Sequence, residues 1–429
     1  MKVAVIGTGF VGVVTAAVLA KVGYQVWGLD VDAEKIAQLK AGRLPFFEPQ
    51  LKALVIEGFT SKRLRFTIEY DQAISPAEVI MITVGTPSAK NGTADLTYVM
   101  EAAEALAPYL QDKAIVVIKS TVPPGTNQLV REIIEAKSKR EFFIAAVPEF
   151  LKEGSAVNDS LNPDRVVIGA EEAYVVKKLI ALHRQIGGER VVVSAESAQM
   201  AKYTANAYLA QRITFINQIA NLCERNGAKI SEVIKVIGED KRIGSHYWYP
   251  GLGYGGSCFP KDVKELAAYA KSIGEGQGLL PKIDQLNEER MDKKIKEFER
   301  QVGGFKHKKV AVLGLAFKPN TNDLRSAPSL ALIPYLFDRG ASVSAYDPKV
   351  KEAALRHFPG LILGQDAYQA AAQAEVICLL TEWPEFKTLN LNQLGAATRP
   401  QAWLIDTRNL YQKAVVEAAG LQYIGIGNG

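Results

Sequence analysis

The chain opens on a run of branched apolar residues, 2–6 (KVAVI), that stops at Gly7-Thr8-Gly9-Phe10-Val11-Gly12 and gives way to the helical pattern VVTAAVLAKVG. Few folds accept that order. A strand feeding a glycine turn that feeds a helix is the first half of a βαβ unit. Its first glycine makes the tight turn, its second lets backbone approach a pyrophosphate, and its third lets the helix pack closely. Phosphate charge then rests at the positive end of the helix. Asp30 closes the next apolar run, 25–29 (QVWGL), where a carboxylate accepts from ribose hydroxyls and repels a 2′-phosphate. The expectation is NAD rather than NADP. The competing reading is a structural βαβ turn that holds no nucleotide.

The same logic continues along the chain. Runs at 79–84, 114–118 and 142–147 are separated by helical patterns, which predicts a parallel sheet with helices on both faces. Runs at 165–169 and 190–193 extend this domain to residue 195. Residues 196–226 contain no Pro or Gly and repeat apolar side chains at helical spacing through Met200, Tyr203, Ala207, Ile213, Ile216, Ala220 and Cys223. A long helix is expected there, stopped by Gly227. A second helical stretch is expected over 261–302, after the glycine-rich 251–256. From Lys308 the first pattern restarts, with strands expected at 309–313, 342–346, 375–380 and 402–405. The fold class is therefore α/β: two Rossmann-like parallel-sheet domains, 1–195 and 301–429, joined by a central helical domain, 196–300, with a long spine helix.

At 429 residues the chain is long enough for two or three domains with real cores. The 51 Lys and Arg against 46 Asp and Glu leave a charge of +5 with no long block of one sign, which argues against a nucleic-acid groove and suits an acidic small molecule. Cys223, Cys258 and Cys378 are odd in number and far apart, as reduced thiols of a cytoplasmic protein are. Without a CxxC or a cluster of histidines, no metal site is expected. No apolar run approaches the roughly 20 residues of a membrane span, and the N-terminus lacks the pattern of a secretory signal. The reading is cytoplasmic, with no membrane and no nucleic-acid partner.

Chemistry concentrates in a few segments. In Gly253-Tyr254-Gly255-Gly256-Ser257-Cys258-Phe259-Pro260-Lys261-Asp262, Pro260 suits the first turn of a helix, so Cys258 meets the positive end of the dipole and gains thiolate character. Asp262, four residues on, fits a carboxylate base. The neighbouring glycines imply close backbone approach to a ligand. An inert thiol beside a capping Asp is the plainer alternative. Cys223 and Cys378 sit in apolar patterns and read as core. Lys202 and Asn206 share a helix face and can donate to a developing oxyanion, or simply face solvent. Pro148-Glu149-Phe150-Leu151-Lys152-Glu153-Gly154 follows a strand, where ligand-facing loops lie. Glu149 and Glu153 are a base or hydroxyl acceptor, or else ordinary helix-start carboxylates. Residues 84–87 (VGTP) and 119–125 (KSTVPPG) also end strands and fit a cofactor crevice, while Lys318, Arg325 and Arg408 follow strands and suit phosphates.

Taken in order, GTGFVG, VGTP, KSTVPPG, PEFLKEG, KYTANAYLAQRI, GYGGSCFPKD and GLAFKPNTND resemble the UDP-glucose 6-dehydrogenase family, one of the nucleotide-sugar dehydrogenases. The likeness runs over about residues 1–410. It implies an enzyme that oxidises the sugar C6 alcohol to a carboxylate with two NAD in succession, giving UDP-glucuronate, a precursor for polysaccharide biosynthesis. Residues 301–429 then become the UDP-sugar-binding domain, and the central helix the core of a homodimer.

By the resemblance, Cys258 attacks the aldehyde and carries a thiohemiacetal and a thioester. Asp262 with Lys202 assists alcohol deprotonation through a water, Lys202 and Asn206 hold the oxygen charge, and Glu149 activates a water ordered by Thr121. Substrate contacts fall on Glu149, Phe150, Leu151, Glu153, Lys202, Asn206, Tyr247, Tyr254, Gly255, Lys318 and Arg408, with Arg242 reaching a neighbouring subunit. Cofactor contacts fall on Gly7, Gly9, Phe10, Val11, Gly12, Asp30, Lys35, Thr86, Thr121 and Arg325. Two segments depart from the family pattern: Tyr247-Trp248-Tyr249-Pro250 adds an aromatic near the expected uridine side, and Asp323 to Pro328 differs from the family after its arginine.

Other readings compete. Siblings acting on UDP-N-acetyl-mannosamine or GDP-mannose share the mechanism. A two-electron hydroxyacid dehydrogenase also sets a Lys and an Asn on a central helix, and a nucleotide-sensing scaffold would bind NAD without turnover.

Overall fold

The computed structural model describes residues 1–428 of the chain. Two sheets organise it, and each starts from a strand of branched residues that enters a glycine turn. The first contains β1 (Lys2–Ile6), β2 (Gln25–Leu29), β3 (Leu64–Thr67), β4 (Val79–Ile82), β5 (Ala114–Ile118), β6 (Phe142–Ala146), β7 (Arg165–Gly169) and β8 (Glu189–Val193), side by side as β3-β2-β1-β4-β5-β6-β7-β8. The second contains β9 (Lys309–Leu313), β10 (Ser342–Tyr346), β11 (Ile362–Leu363), β12 (Val376–Leu379), β13 (Trp403–Asp406) and β14 (Gln422–Gly425), ordered β11-β10-β9-β12-β13-β14. Counted from its own first strand, each sheet begins 3-2-1-4-5-6, the doubly wound order. The restart at Lys308 is thus a structural repeat. Neighbouring strands run parallel throughout, apart from β6 and β7, which meet antiparallel at the pair Ala146 and Gly169.

Parallel strands buried on both faces must be apolar on both, and β4 shows how. Val79 and Met81 pack into one cluster with Val13, Val14 and Ala17 of the helix Phe10–Lys21. Ile80 and Ile82 pack into another, with Val99 and Leu106 of the helix Thr97–Leu106 and Val130 and Ile134 of the helix Thr126–Lys137. Alternate residues therefore serve opposite faces.

The expected spine is one helix, Ala195–Asn226, of 32 residues, which stops at Gly227 with φ +79°. The expected helical stretch over 261–302 is instead two helices, Phe259–Ser272 and Leu279–Gln301. Gly274 (φ +89°) and Gly278 (φ +128°) take left-handed backbone that ends the ladder of i to i−4 bonds. Strands β3, β11 and β14 are additions to the sequence reading. By contacts the chain separates into two compact units, Met1–Ala205 with Lys264–Gly276, and Asn206–Val263 with Gln277–Gly429. Among the described residues no helix is long and apolar enough to cross a membrane.

Candidate active site

In the first unit the glycine turn is built as its spacing demands. Gly7 has φ +91° and donates to the Leu29 carbonyl at 2.8 Å. A Cβ on Gly12 would sit 1.8 Å from the Gly7 carbonyl oxygen, so only glycine fits that helix against the turn. A Cβ on Gly9 would meet nothing within 4 Å: the space beside it is open. Gly9 caps the helix Phe10–Lys21 with no side-chain hydrogen bond, and the first turn holds no acid. Its N–H groups are left for an anion, and a pyrophosphate fits there.

Asp30 is buried just past β2, and its Oδ2 accepts from Thr8 N at 2.7 Å, Thr8 Oγ1 at 2.8 Å and Lys35 Nζ at 3.0 Å. Among the described residues its Oδ1 takes only the Asp32 N–H, at 3.1 Å, and so keeps acceptor capacity for a ribose hydroxyl. Burial pushes the carboxyl up, but the Thr8 N–H, the Lys35 ammonium and the other bonds outweigh it and hold the group below its ordinary range. Asp30 is an anion at neutral pH. Lys35, expected at the cofactor, is its ion-pair partner.

The loops after β4 and β5 are tied together, with Thr86 Oγ1 donating to the Thr121 carbonyl at 2.8 Å and Ser120 Oγ to the Val84 carbonyl at 2.7 Å. After β6 the 148–154 loop presents Glu149, whose Oε1 lies 2.9 Å from Lys202 Nζ and whose Oε2 accepts the Leu151 N–H at 2.7 Å. Phe150 is flanked by cations, Arg165 3.7 Å and Lys202 5.5 Å from its ring centre. Glu48, which drew no attention in the sequence, is buried and accepts from Gly154 N at 2.6 Å and Ala156 N at 2.8 Å, pinning the loop that carries Glu153. Nothing local flags it, because it acts across more than a hundred residues.

In the second unit Cys258 is exposed and immediately precedes the helix Phe259–Ser272, its carbonyl accepting the Asp262 N–H at 2.8 Å. The sulfur thus sits where the helix dipole favours an anion. Ser257 Oγ is 3.5 Å from it. Asp262 is 1% exposed, with Oδ2 accepting from Asn206 Nδ2 at 2.5 Å and Oδ1 2.7 Å from Lys261 Nζ. Lys261 is a partner that the sequence reading missed. Cys223 and Cys378 are core, as read.

The glycines before Cys258, expected to make room for a ligand, also answer to packing within the chain. A Cβ on Gly255 would lie 2.2 Å from the Ser326 carbonyl oxygen, and one on Gly256 2.6 Å from the Phe317 ring. The chain's own groups fill that space. Tyr254 is buried edge-on to Phe259, and its hydroxyl has no hydrogen-bond partner among the described residues. Tyr247 packs between Tyr249 and Phe259, with ring centres 5.6 and 6.3 Å away.

The four expected cations of this unit are held differently. Arg242 forks onto the Asp240 carboxylate, with NH2 2.6 Å from Oδ2, and is otherwise exposed. Arg325 pairs with Asp323 at 2.6 Å, and Lys318 lies 5.3 Å from the Phe317 ring centre. Arg408 is largely buried, donating to the Leu380 and Phe317 carbonyls and 3.0 Å from Glu382.

The second sheet repeats the first turn but closes it. Gly314 has φ +89° and donates to the Tyr346 carbonyl, as Gly7 does to Leu29, and Asp347 follows β10 as Asp30 follows β2. Asp347, however, accepts from Leu315 N, Ala316 N, Lys349 N, Val350 N and Trp383 Nε1 at 2.8 to 3.1 Å. Five donors saturate it. The first turn is open to a dinucleotide and the second is self-satisfied.

A doubly wound sheet with one open glycine turn and an acid past the second strand defines a dinucleotide-binding α/β protein. Comparison with known proteins narrows the class. Sequence models of the UDP-glucose/GDP-mannose dehydrogenase family match its NAD binding domain to residues 1–187, its central domain to 196–289 and its UDP binding domain to 311–413. The chain belongs to that family and is an NAD-dependent oxidoreductase. It is 42% identical to UDP-glucose 6-dehydrogenase TuaD of Bacillus subtilis, over 99% of this chain and 93% of that protein. It is 40% identical to a UDP-glucose 6-dehydrogenase of Rhizobium meliloti, over 100% and 99%. A solved UDP-glucose dehydrogenase from Pyrobaculum islandicum superposes with a TM-score of 0.92 at 34% identity, covering 100% of this chain and 98% of that one.

Proposed function

We propose that the chain oxidises UDP-glucose to UDP-glucuronate, removing four electrons in two steps and carrying the intermediate on Cys258. NAD-dependent oxidation of UDP-glucose is supported by the family, by its UDP binding domain and by relatives of that name. The observation that carries the covalent step is the exposed Cys258 sulfur at a helix entrance whose first turn bears the buried Asp262.

Two NAD, bound in succession at the glycine turn and Asp30, would each accept one hydride. Asp262, with Lys202, takes the C6 hydroxyl proton through a water, and Lys202 and Asn206 donate to the oxygen as its charge grows. The Cys258 thiolate adds to the aldehyde carbon, and the resulting thiohemiacetal oxyanion, held by Lys202 and Asn206, gives up the second hydride to become a thioester. Glu149 takes a proton from a water ordered by Thr121; that water adds to the acyl carbon and the thiolate leaves.

Phe150, Leu151, Glu153, Tyr247, Tyr254, Gly255, Lys318 and Arg408 are assigned to the UDP-sugar. Gly7 to Gly12, Asp30, Lys35, Thr86, Thr121 and Arg325 are assigned to NAD. Residues 1–195 form the NAD part, 196–300 the central helical part and 301–429 the UDP-sugar part. A second copy is assigned to the helix Ala195–Asn226, where Tyr208, Phe215 and Leu222 recur every seven residues at 55%, 52% and 57% exposure; Arg242 then serves that copy's site.

A panel of nucleotide sugars with NADH counted per molecule consumed tests the reading. UDP-glucose should yield two NADH and UDP-glucuronate. One NADH per sugar, with an aldehyde or ketone as product, sinks it.

A further inference from the structure

Ahead of Cys258 the chain is held by side chains that the reaction does not use. Asn217 of the helix Ala195–Asn226 accepts the Gly251 N–H on Oδ1 at 2.8 Å, and Arg290 of the helix Leu279–Gln301 donates from Nε to the Gly251 carbonyl at 2.5 Å. One turn earlier on the second of these helices, Asn287 accepts the Tyr254 N–H at 2.8 Å and donates to the Tyr254 carbonyl at 3.1 Å. A single amide thus answers both main-chain groups of one residue, as a neighbouring strand would. It comes this close because Gly253, at φ +115°, has no Cβ; one there would lie 2.6 Å from Asn287 Oδ1.

The grips are themselves fixed. Arg290 is 7% exposed, and its Nη1 donates to the Asn217 carbonyl at 3.1 Å and to Asn221 Oδ1 at 2.9 Å, which joins the two helices. Leu252, between the two held residues, is buried in one cluster with Ile216 and Ile295 of those helices. Further on, Gly256 donates to the Arg325 carbonyl at 2.9 Å and Cys258 accepts the Asp262 N–H at 2.8 Å. The backbone is therefore tied at Gly251, Tyr254, Gly256 and Cys258 in turn. Burying a guanidinium against neutral oxygens costs more than burying an apolar side chain. What it provides here is a fixed path for the loop.

We propose that Asn287 and Arg290 are positioning residues for Cys258: they fix the loop that leads into it so that the sulfur meets the aldehyde carbon. The proposal rests on the reading of Cys258 as the nucleophile. Addition of a thiolate to a carbonyl needs close approach of the reacting atoms, and an error of about 1 Å costs about a hundredfold in rate. Hydride transfer between the same carbon and the nicotinamide makes no bond to sulfur. Loosening the loop therefore separates two reactions of one compound, the 6-aldehyde of UDP-glucose. With NAD, the thiolate adds to it, the oxyanion passes a hydride to the nicotinamide, and water releases UDP-glucuronate from the thioester. With NADH, the hydride goes to the aldehyde carbon, a proton goes to its oxygen, and UDP-glucose forms.

The test gives the 6-aldehyde to wild type, Asn287→Ala, Arg290→Lys and Cys258→Ser, and measures its oxidation by NAD and its reduction by NADH, as kcat/KM, on the same preparation of each. Loss of folded protein lowers both rates alike and leaves their ratio unchanged. Asn287→Ala and Arg290→Lys should each lower oxidation at least about tenfold and keep reduction within about threefold of wild type. If one of them does not fold, the other supplies the readout. Cys258→Ser should reduce the aldehyde and not oxidise it. A wild-type ratio in either loop variant, with Cys258→Ser unable to oxidise, would overturn the proposal and leave Cys258 as the nucleophile. Oxidation by Cys258→Ser at the wild-type rate would instead remove the reading beneath it.

Discussion

Glu149 and Lys202 form a buried ion pair, Oε1 to Nζ 2.9 Å, with side chains 8% and 4% exposed. Taking one partner from such a pair strands a charge and costs about 3–5 kcal/mol, whereas removing both costs far less. Lys202→Met should therefore lower the unfolding free energy by about that amount, and Glu149→Gln with Lys202→Met should regain most of it while remaining inactive. Urea unfolding of the single and double variants checks this. Additive losses would mean that the pair is not coupled.

Asp30 and Asp347 occupy the same place in two sheets and should behave differently. Asp30→Ala frees Lys35 and removes the carboxylate that repels a 2′-phosphate. The preference for NAD over NADP, read as a ratio of kcat/KM, should fall by at least about tenfold, ~1.4 kcal/mol. Asp347→Ala strips five donors of their acceptor. It should destabilise the protein by about 2–4 kcal/mol and leave cofactor preference alone. Unaltered selectivity in the Asp30 variant contradicts the ribose assignment.

Gly9 and Gly12 separate binding from folding. A methyl group enters open space at Gly9, so Gly9→Ala should melt as wild type does and bind NAD at least about tenfold more weakly. Gly12→Ala places a methyl 1.8 Å from the Gly7 oxygen and should lower the melting temperature. Thermal melts and NAD titration distinguish the two. Equal melting of both variants would mean that the helix is not packed as described.

His183 makes stability depend on pH. Burial pushes its ring down to about 4 from an ordinary 6.5. Between these values the unfolded chain takes up a proton that the folded one refuses, so stability falls as pH drops through that window, by about 3 kcal/mol in all, and this contribution levels off below it. Urea unfolding between pH 7 and 4 should show His183→Gln losing less stability than wild type. Parallel losses would place the proton elsewhere.

What the sequence made legible was local. The strand, the glycine turn, the helix and Asp30 lie within thirty residues and each is fixed by neighbours along the chain. The strands that escaped, β3, β11 and β14, are sheet edges, each paired on one side only. An edge strand need not be apolar throughout, so LRFT and QYIG carry little signal. The break at 273–278 was written in three glycines, but the helical periodicity on either side masked it. The pairings of Glu48 with Gly154, Lys202 with Glu149 and Asn206 with Asp262 span 106, 53 and 56 residues. No spacing rule reaches that far. Gly255 and Gly256 also pack against Ser326 and Phe317, contacts some sixty to seventy residues away that no local pattern announces.

The account turns on whether Cys258 carries the sugar. Intact mass and peptide mapping of the Glu149→Gln variant, incubated with UDP-glucose and NAD, address this directly, because hydrolysis is the step that variant should lack. A UDP-glucuronyl adduct accumulating on Cys258, and absent when Cys258 is also changed to Ser, is the predicted result. Steady release of UDP-glucuronate with Cys258 unmodified, or from Cys258→Ser alone, would contradict it.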